Sequence, residues 1–480
     1  MKKSLYLLVL SGFFAACSFL GTAPDPVDPV PSPEQVSWQQ DEVWAFVHFG
    51  PNTFTDSEWG YGDADPSVFH PSRLDCEQWA RTFVKAGIGG VIITAKHHDG
   101  FCLWPSRYTD YSVAASPYKG DVVGELAAAC KKYGLKFGVY LSPWDRHQAS
   151  YGTPEYVEYY KNQLRELLTD YAPVSEVWLD GANGGDGWYG GASERRTIDR
   201  RTYYDFPSIH QIVNEWAPGA LIFSDGGPGC RWVGNERGIA SETNWSFLRG
   251  GEVYPGYPAY QELGPGHEDG DTWIPAECDV SIRPGWFFHP EEDDQVKSAR
   301  ELADLYYQSV GRNGKLLLNF PVDREGRIHP ADSAAAVDAH KIIVSELAAK
   351  RRIRAKAAAT ETRGWSFSAR NVTDNKYNTY WSPPDGVTTP YLAIAFPKKV
   401  EIDRLLLQEY IPLGQRVRAF SVEYLDGKEF KPLPTYEETT TIGYKRILRF
   451  PPIKTRALII KFTDCRDVPC ISTVHAFLAP

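Results

Sequence analysis

Hydrophobic and polar positions change their rhythm once along the chain, near residue 358. Before that point, short apolar runs alternate with stretches of helical spacing. Runs at 43–49, 90–95, 137–141, 177–179, 221–223 and 315–320 have the length and composition of strands. Between them, residues 74–86, 122–133, 156–168, 209–216 and 296–310 repeat apolar side chains at helical spacing. Gly87 and Gly134 stop two of these helices. Strands alternating with helices of this length predict a parallel sheet. Polar and aromatic residues gather just after the strands, as in His48-Phe49-Gly50, Lys96-His97-His98-Asp99-Gly100, Ser142-Pro143-Trp144, Asp180-Gly181 and Ser224-Asp225-Gly226. Side chains collected at one end of a repeated unit mark the mouth of a (β/α)8 barrel. A doubly wound sheet alternates similarly, but no G-x-G-x-x-G follows the first strand. Helical spacing continues through 334–352. From 362 onward the apolar runs are short: 391–396, 402–409, 420–424, 444–450 and 457–462. They predict a β-sandwich of about 120 residues. The expected fold is α/β: a (β/α)8-like barrel over 38–352, then an all-β sandwich over 358–480.

The N-terminus has a different texture. Lys2 and Lys3 precede an apolar stretch, and Ala15-Ala16 stand before Cys17. Residues 1–17 therefore read as a signal peptide, and the apolar run is too short to span a membrane as a mature helix. Small residues before a cysteine resemble a bacterial lipobox, so Cys17 is the expected lipidation site. Phe14 stands where Leu is usual. The expected location is outside the cytoplasm, periplasmic or anchored to the outer membrane as a lipoprotein, with ordinary secretion as the alternative. Residues 18–37 are proline-rich and predict an extended, semi-rigid tether.

Composition narrows the partners. A net charge of −10 argues against nucleic acid, which needs a basic surface. Fifteen Trp and 27 Tyr supply flat faces that suit sugar rings and protein cores alike. Beyond Cys17 the cysteines are scattered, without a C-x-x-C pair. Only Cys465 and Cys470 are near enough in sequence to predict a local disulfide.

The chemistry centres on E-V-W-L-D-G, residues 176–181, an apolar strand ending in an acid. Such a strand places a carboxylate at a barrel mouth, although Asp-Gly also begins ordinary turns. His97 and His98 can reach one pocket only if the strand has ended, because neighbours on a strand point to opposite faces. Nothing like H-E-x-x-H is present, so no metal is expected there. Two neutral imidazoles donating to hydroxyls is the reading adopted.

The run T-A-K-H-H-D-G-F-C-L-W-P-S-R-Y-T-D-Y-S-V, residues 94–113, resembles the signature of α-L-fucosidases of glycoside hydrolase family 29. So do His48-Phe49-Gly50, W-L-D-G and S-I-R-P-G-W-F-F-H, and the resemblance covers about 38–345. It implies a retaining, exo-acting α-L-fucosidase with Asp180 as nucleophile. Two glutamates could be the acid/base: Glu236 in R-W-V-G-N-E and Glu58 in D-S-E-W-G. R-W-V-G-N-E is similar to the branch cleaving α-1,3 and α-1,4 linkages, which gives the role to Glu236. Glu58, with Trp59 beside it, then looks like a ligand for fucose hydroxyls. His48, His97, His98 and Tyr140 match positions that hold those hydroxyls, and Trp286 matches an aromatic packed on the sugar. A galactose beside the fucose would meet 183–191 and Trp144-Asp145-Arg146-His147. The last 120 residues, through V-T-D-N-K-Y-N-T-Y-W, resemble discoidin-like modules, which bind glycans and sometimes hold structural calcium. Tyr377, Tyr380 and Trp381 would form a sugar platform there, or Trp381 would be core. The resemblance implies a fucosylated oligosaccharide or glycoconjugate as partner, a membrane met only through lipid, and no metal or organic cofactor. The rivals are a broad-specificity fucosidase, a non-catalytic glycan-binding lipoprotein, and a metal-dependent sugar enzyme on the same barrel.

Overall fold

The computed structural model describes residues 21–480 except 172, 181–186, 190, 192, 349 and 350, and of 187–189 the backbone alone. The signal stretch and Cys17 lie outside the described residues, as do 183–186 and 190 of the expected galactose loop.

Eight parallel strands close a barrel: β1 (Val43–Val47), β2 (Gly90–Lys96), β3 (Lys136–Leu141), β4 (Glu176–Trp178), β5 (Leu221–Ser224), β6 (Cys230–Trp232), β7 (Ala276–Ser281) and β8 (Lys315–Asn319). They neighbour one another in sequence order, and β8 pairs β1, with Val43 opposite Leu316. The sequence pattern misses β6 and β7. The first has three residues, and the second carries polar side chains on its inner face. Helix α1 (Pro33–Gln40) precedes β1. Helices α2 (Cys76–Lys85), α3 (Val122–Tyr133) and α4 (Pro154–Asp170) follow β1, β2 and β3. Helix α5 (Phe206–Trp216) follows β4, α6 (Ala299–Gln308) follows β7, and α7 (Pro330–Leu347) follows β8. Only residues 225–229 join β5 to β6, and a long excursion containing a two-stranded ribbon joins β6 to β7.

Period-two alternation fixes which side chains enter the barrel. In β4, Val177 and Leu179 join the core between sheet and helices, while Trp178 belongs to the inner cluster. Glu176 and Asp180 share its parity. In β2 a register shift between Thr94 and Lys96 breaks the alternation. Lys96 turns outward to Asp145 (3.0 Å) and to Gln163 of α4 (2.9 Å). The strand ends there, which frees both His97 and His98 to face inward.

The proline-rich stretch is not a free tether over its described part. Val27 N donates to Leu413 O (3.0 Å), and Arg466 binds Asp28 O (2.6 Å). From Pro33 the chain is helical, with a capping box between Ser32 and Gln35. Gln35 bonds Gly229 O and Trp273 O, and Trp38 inserts its indole into the barrel floor, 2.7 Å from Glu176. No helix among the described residues is long and apolar enough to cross a membrane.

The C-terminal domain is one antiparallel sheet system of β9 (Lys356–Ala359), β10 (Tyr391–Glu409), β11 (Val417–Asp426), β12 (Glu429–Pro432), β13 (Arg446–Cys465) and β14 (Ile471–Phe477). Runs that read as separate strands merge into β10 and β13, which bend through bulges at 395–404. The expected sugar platform does not form as such. Trp381 is fully buried in the domain core, its indole bonded to Glu361 O. Tyr377 packs with Trp245, Trp273 and Tyr444 between the two domains. Cys465 and Cys470 are free, buried thiols rather than a disulfide. The domain grips the floor side of the barrel. Asn313, just before β8, bonds Lys445 O (2.9 Å), Arg404 pairs with Glu346 of α7 (3.2 Å), and Lys445 pairs with Glu42.

Candidate active site

The strand ends surround a cavity of about 370 Å3 at the barrel mouth. His48, Glu58, Trp59, His97, His98, Tyr140, Asp180, Glu236 and Trp286, the catalytic and fucose-binding residues expected from the sequence, line it together. Phe46, Trp178 and Phe223 form its base. Trp178 lies flat on Phe223, ring centroids 4.0 Å apart, and Tyr140 stacks on the other side at 5.4 Å.

Asp180 sits two residues past β4. The Tyr140 hydroxyl donates to its Oδ2 at 2.9 Å. Glu236 lies four residues past β6. It opens to solvent at the mouth, yet the cavity wall desolvates its carboxyl and pushes its pKa up. The nearby Trp286 side chain opposes that rise, and the charges of Asp180 and Glu58 add to it. Glu58 is held from three sides. Its Oε2 accepts Trp286 N–H (2.9 Å), and its Oε1 accepts Phe287 N–H (3.0 Å) and faces His289 Nε2 (2.8 Å).

The histidines are neutral. Burial lowers the pKa of His48 and of His98 to about 4, and that of His97 well below its usual value. Hydrogen bonding fixes two tautomers. Asn319 Nδ2 donates to Trp286 O (2.9 Å), so its Oδ1 is the atom facing His48 Nδ1 at 2.8 Å. His48 Nδ1 therefore carries the hydrogen. Ser142 Oγ donates to Trp144 O (2.7 Å) and must accept from His98 Nδ1 (2.8 Å). His48 Nε2 is left facing the cavity, and His98 Nε2 lies 3.7 Å from Asp180 Oδ2.

Trp144-Asp145-Arg146-His147 do not line the cavity. Trp144 is buried behind Trp59 and His98, Asp145 binds Lys96, and Arg146 stacks on Tyr61. Other residues do line it: Arg200, Trp232, Gly256, Tyr257 and Tyr260, with the acids Asp225 and Asp279. Trp232 and Tyr260 pack at a tilt, ring centroids 4.8 Å apart. Burial and the nearby Asp180 push Asp225 up to about 7, against a hydrogen bond from Gly256 N–H. Burial pushes Asp279 well above the carboxylate range, although Trp232 Nε1 donates to it at 2.6 Å. Asp225 stood in a legible strand-end motif. Asp279 lies inside a strand the pattern missed.

The comparisons agree with this geometry. A family model described as Alpha-L-fucosidase matches residues 29–339, and one described as F5/8 type C domain matches 354–475. The chain is 44% identical over 464 residues to a putative alpha-L-fucosidase 1 of Oryza sativa subsp. japonica, covering 95% of this chain and 86% of the relative. A putative alpha-L-fucosidase of Bacteroides thetaiotaomicron superposes with a TM-score of 0.87 at 41% identity, covering 95% of this chain and 99% of that one. A Ruminococcus gnavus family 29 fucosidase solved in complex with fucose gives 0.84 at 32% identity, covering 96% and 97%. The barrel match spans all eight strands and both candidate carboxyls, and the matched relatives extend through the second domain. The chain therefore belongs to the alpha-L-fucosidase family, glycoside hydrolase family 29, and is an alpha-L-fucosidase.

Proposed function

We propose that the chain is a retaining, exo-acting α-L-fucosidase selective for α-1,3 and α-1,4 branches. The observation that carries the mechanism is the contrast between two acids in one cavity. Asp180 receives a hydroxyl hydrogen bond, while Glu236 is desolvated and holds its proton more tightly. Asp180 attacks the anomeric carbon as Glu236 gives its proton to the leaving glycosidic oxygen, forming a fucosyl ester. Glu236 then takes a proton from water, whose oxygen displaces Asp180. Glu58 is better suited to bind than to donate, because three donors already engage its oxygens. His48 and His98 bind fucose hydroxyls. The steps use these side chains alone.

The linkage reading draws on R-W-V-G-N-E and on the wall of Trp232, Tyr257, Tyr260 and Arg200 beyond the acids. That wall offers surface to a sugar next to the fucose, and such contacts supply remote binding energy at the reacting bond. The test is kcat/KM on a Lewis trisaccharide, an α-1,2-fucosyllactose and an aryl fucoside, for wild type, Glu236→Gln and Glu58→Gln. The wild type should favour the trisaccharide. Glu236→Gln should lose about 10²- to 10⁴-fold on it and far less on the aryl fucoside, whose leaving group needs little protonation. A wild-type preference for the α-1,2 linkage would end the linkage claim. The leaving-group pattern appearing in Glu58→Gln instead would exchange the two glutamates. We also propose export with lipid on Cys17. Labelled palmitate should enter the wild type and not Cys17→Ala, and an unlabelled wild type would leave ordinary secretion. The C-terminal domain is assigned a bracing role at the barrel floor, supported by the Asn313, Arg404 and Lys445 contacts.

A further inference from the structure

His289 lies in the loop after β7, wedged between two acids of the loop after β1. Its Nδ1 is 2.8 Å from Asp56 Oδ1, and its Nε2 is 2.8 Å from Glu58 Oε1. Ionised carboxylates only accept, so an imidazole bonded to two of them carries hydrogen on both nitrogens. The alternative is a proton moved onto one acid. Glu58 resists it, because its oxygens also take the N–H groups of Trp286 and Phe287. Asp56 resists it too, being half open to solvent with Arg324 at 4.0 Å. Glu291 and Glu292 are the other charges facing the ring. The ring is therefore an imidazolium, unlike the three neutral histidines of the cavity.

The chain of contacts runs on into the site. Glu58 holds the backbone of Trp286, and Trp286 and Glu236 line the same cavity. Trp286 O is bound by Asn319, which also orients His48. We propose that His289 is a positioning residue for the acid/base step, acting through Glu58 to keep Trp286 against Glu236. The proposal rests on Glu236 being the acid/base.

The sign of the pH dependence follows. Burial opposes the charge on His289, but the bonds to Asp56 and Glu58 outweigh it, so its pKa lies above the ordinary histidine value. The charge is complete below the usual pKa and is lost as pH rises through the raised one. The bridge should therefore loosen on the alkaline side.

The test uses the full-length protein. Long-range 1H–15N NMR, with the signal assigned by His289→Gln, should show both ring nitrogens of His289 protonated at pH 7. On the oligosaccharide, where protonation by Glu236 limits the rate, the wild type should show an alkaline fall in kcat that follows the charge on His289. That fall should vanish in His289→Gln and move to lower pH in Asp56→Asn, which lies outside the cavity lining. On the oligosaccharide, His289→Gln should lower kcat by about 10- to 100-fold, with a smaller change in KM, as expected for a displaced reacting group. A neutral His289 ring at pH 7 overturns the proposal. So does an alkaline fall that is unchanged in both His289→Gln and Asp56→Asn. If the ring is charged but Glu236→Gln shows no leaving-group dependence, the acid/base assignment fails and the bridge stands.

Discussion

The two ends of the barrel hold similar side chains and surround them differently. At the floor, Glu176, Glu277 and Lys315 are fully buried. The ammonium lies 3.5 Å from Glu176 and 3.9 Å from Glu277, and 3.6 Å over the Trp44 ring. Indoles of Trp38 and Trp178 donate to the two acids at 2.7 and 3.1 Å. At the mouth, Asp180, Asp225, Glu236 and Asp279 face one cavity, with Arg200 as the cation in its described lining. A buried carboxylate without a cation keeps its proton instead. Burial raises Asp225, Asp279 and, within the cavity wall, Glu236. At the floor, burial and the neighbouring Glu176 push Glu277 well above the carboxylate range too, against the pull of Lys315. The mouth stores protons, which is what an acid/base site requires. What differs is the neighbour: Lys315 lies between the floor acids, whereas the mouth acids face an open cavity.

That contrast can be broken experimentally, and the largest effect belongs to the mouth. Asp180→Ala should lower turnover on the order of 10⁴-fold with the melting temperature nearly unchanged, and azide should restore part of it by attacking in place of the carboxylate. Activity near wild type would remove Asp180 from the mechanism. At the floor, Lys315→Met should strand two buried acids and destabilise the fold by roughly 3–5 kcal/mol. Thermal melting reads that loss, and kcat/KM of the folded enzyme at low temperature should be little changed. An unchanged melting point with lost activity would show that floor and mouth are not separate. The smallest effect is expected from Asp225→Asn. The folded carboxyl titrates near 7, against about 3.9 in an unfolded chain. The native state therefore holds the extra proton, and stability falls as pH climbs from about 4 through 7. The amide removes that loss. The variant should melt a few degrees above wild type at pH 8 and level with it near pH 4. An equal difference at both values would mean Asp225 is not protonated in the fold.

Much of the barrel was legible because its signal is local. A six-residue run, E-V-W-L-D-G, showed both a strand and the acid at its end, and the helix at 122–133 was closed by Gly134. β6 and β7 were not legible. C-R-W is too short for periodicity, and A-E-C-D-V-S alternates acids with apolar residues, as a solvent-facing strand would. Only closure of the sheet turns Glu277 and Asp279 inward. The proline-rich segment was read as a spacer because proline reports extended backbone and says nothing of what the backbone touches. Trp381 looked equally suited to a sugar and a core, since composition does not carry burial.

The sequence by itself determined the order of strands and helices, the change to β-structure near 358 and the residue types gathered at strand ends, because these depend on neighbours within a few positions. The tertiary structure decided which acids keep protons, which imidazole nitrogens carry hydrogen, and that His289 lies between Asp56 and Glu58, more than 200 positions away. Desolvation and hydrogen-bond partnership are set by groups brought together in space, so they exist only once the barrel has closed.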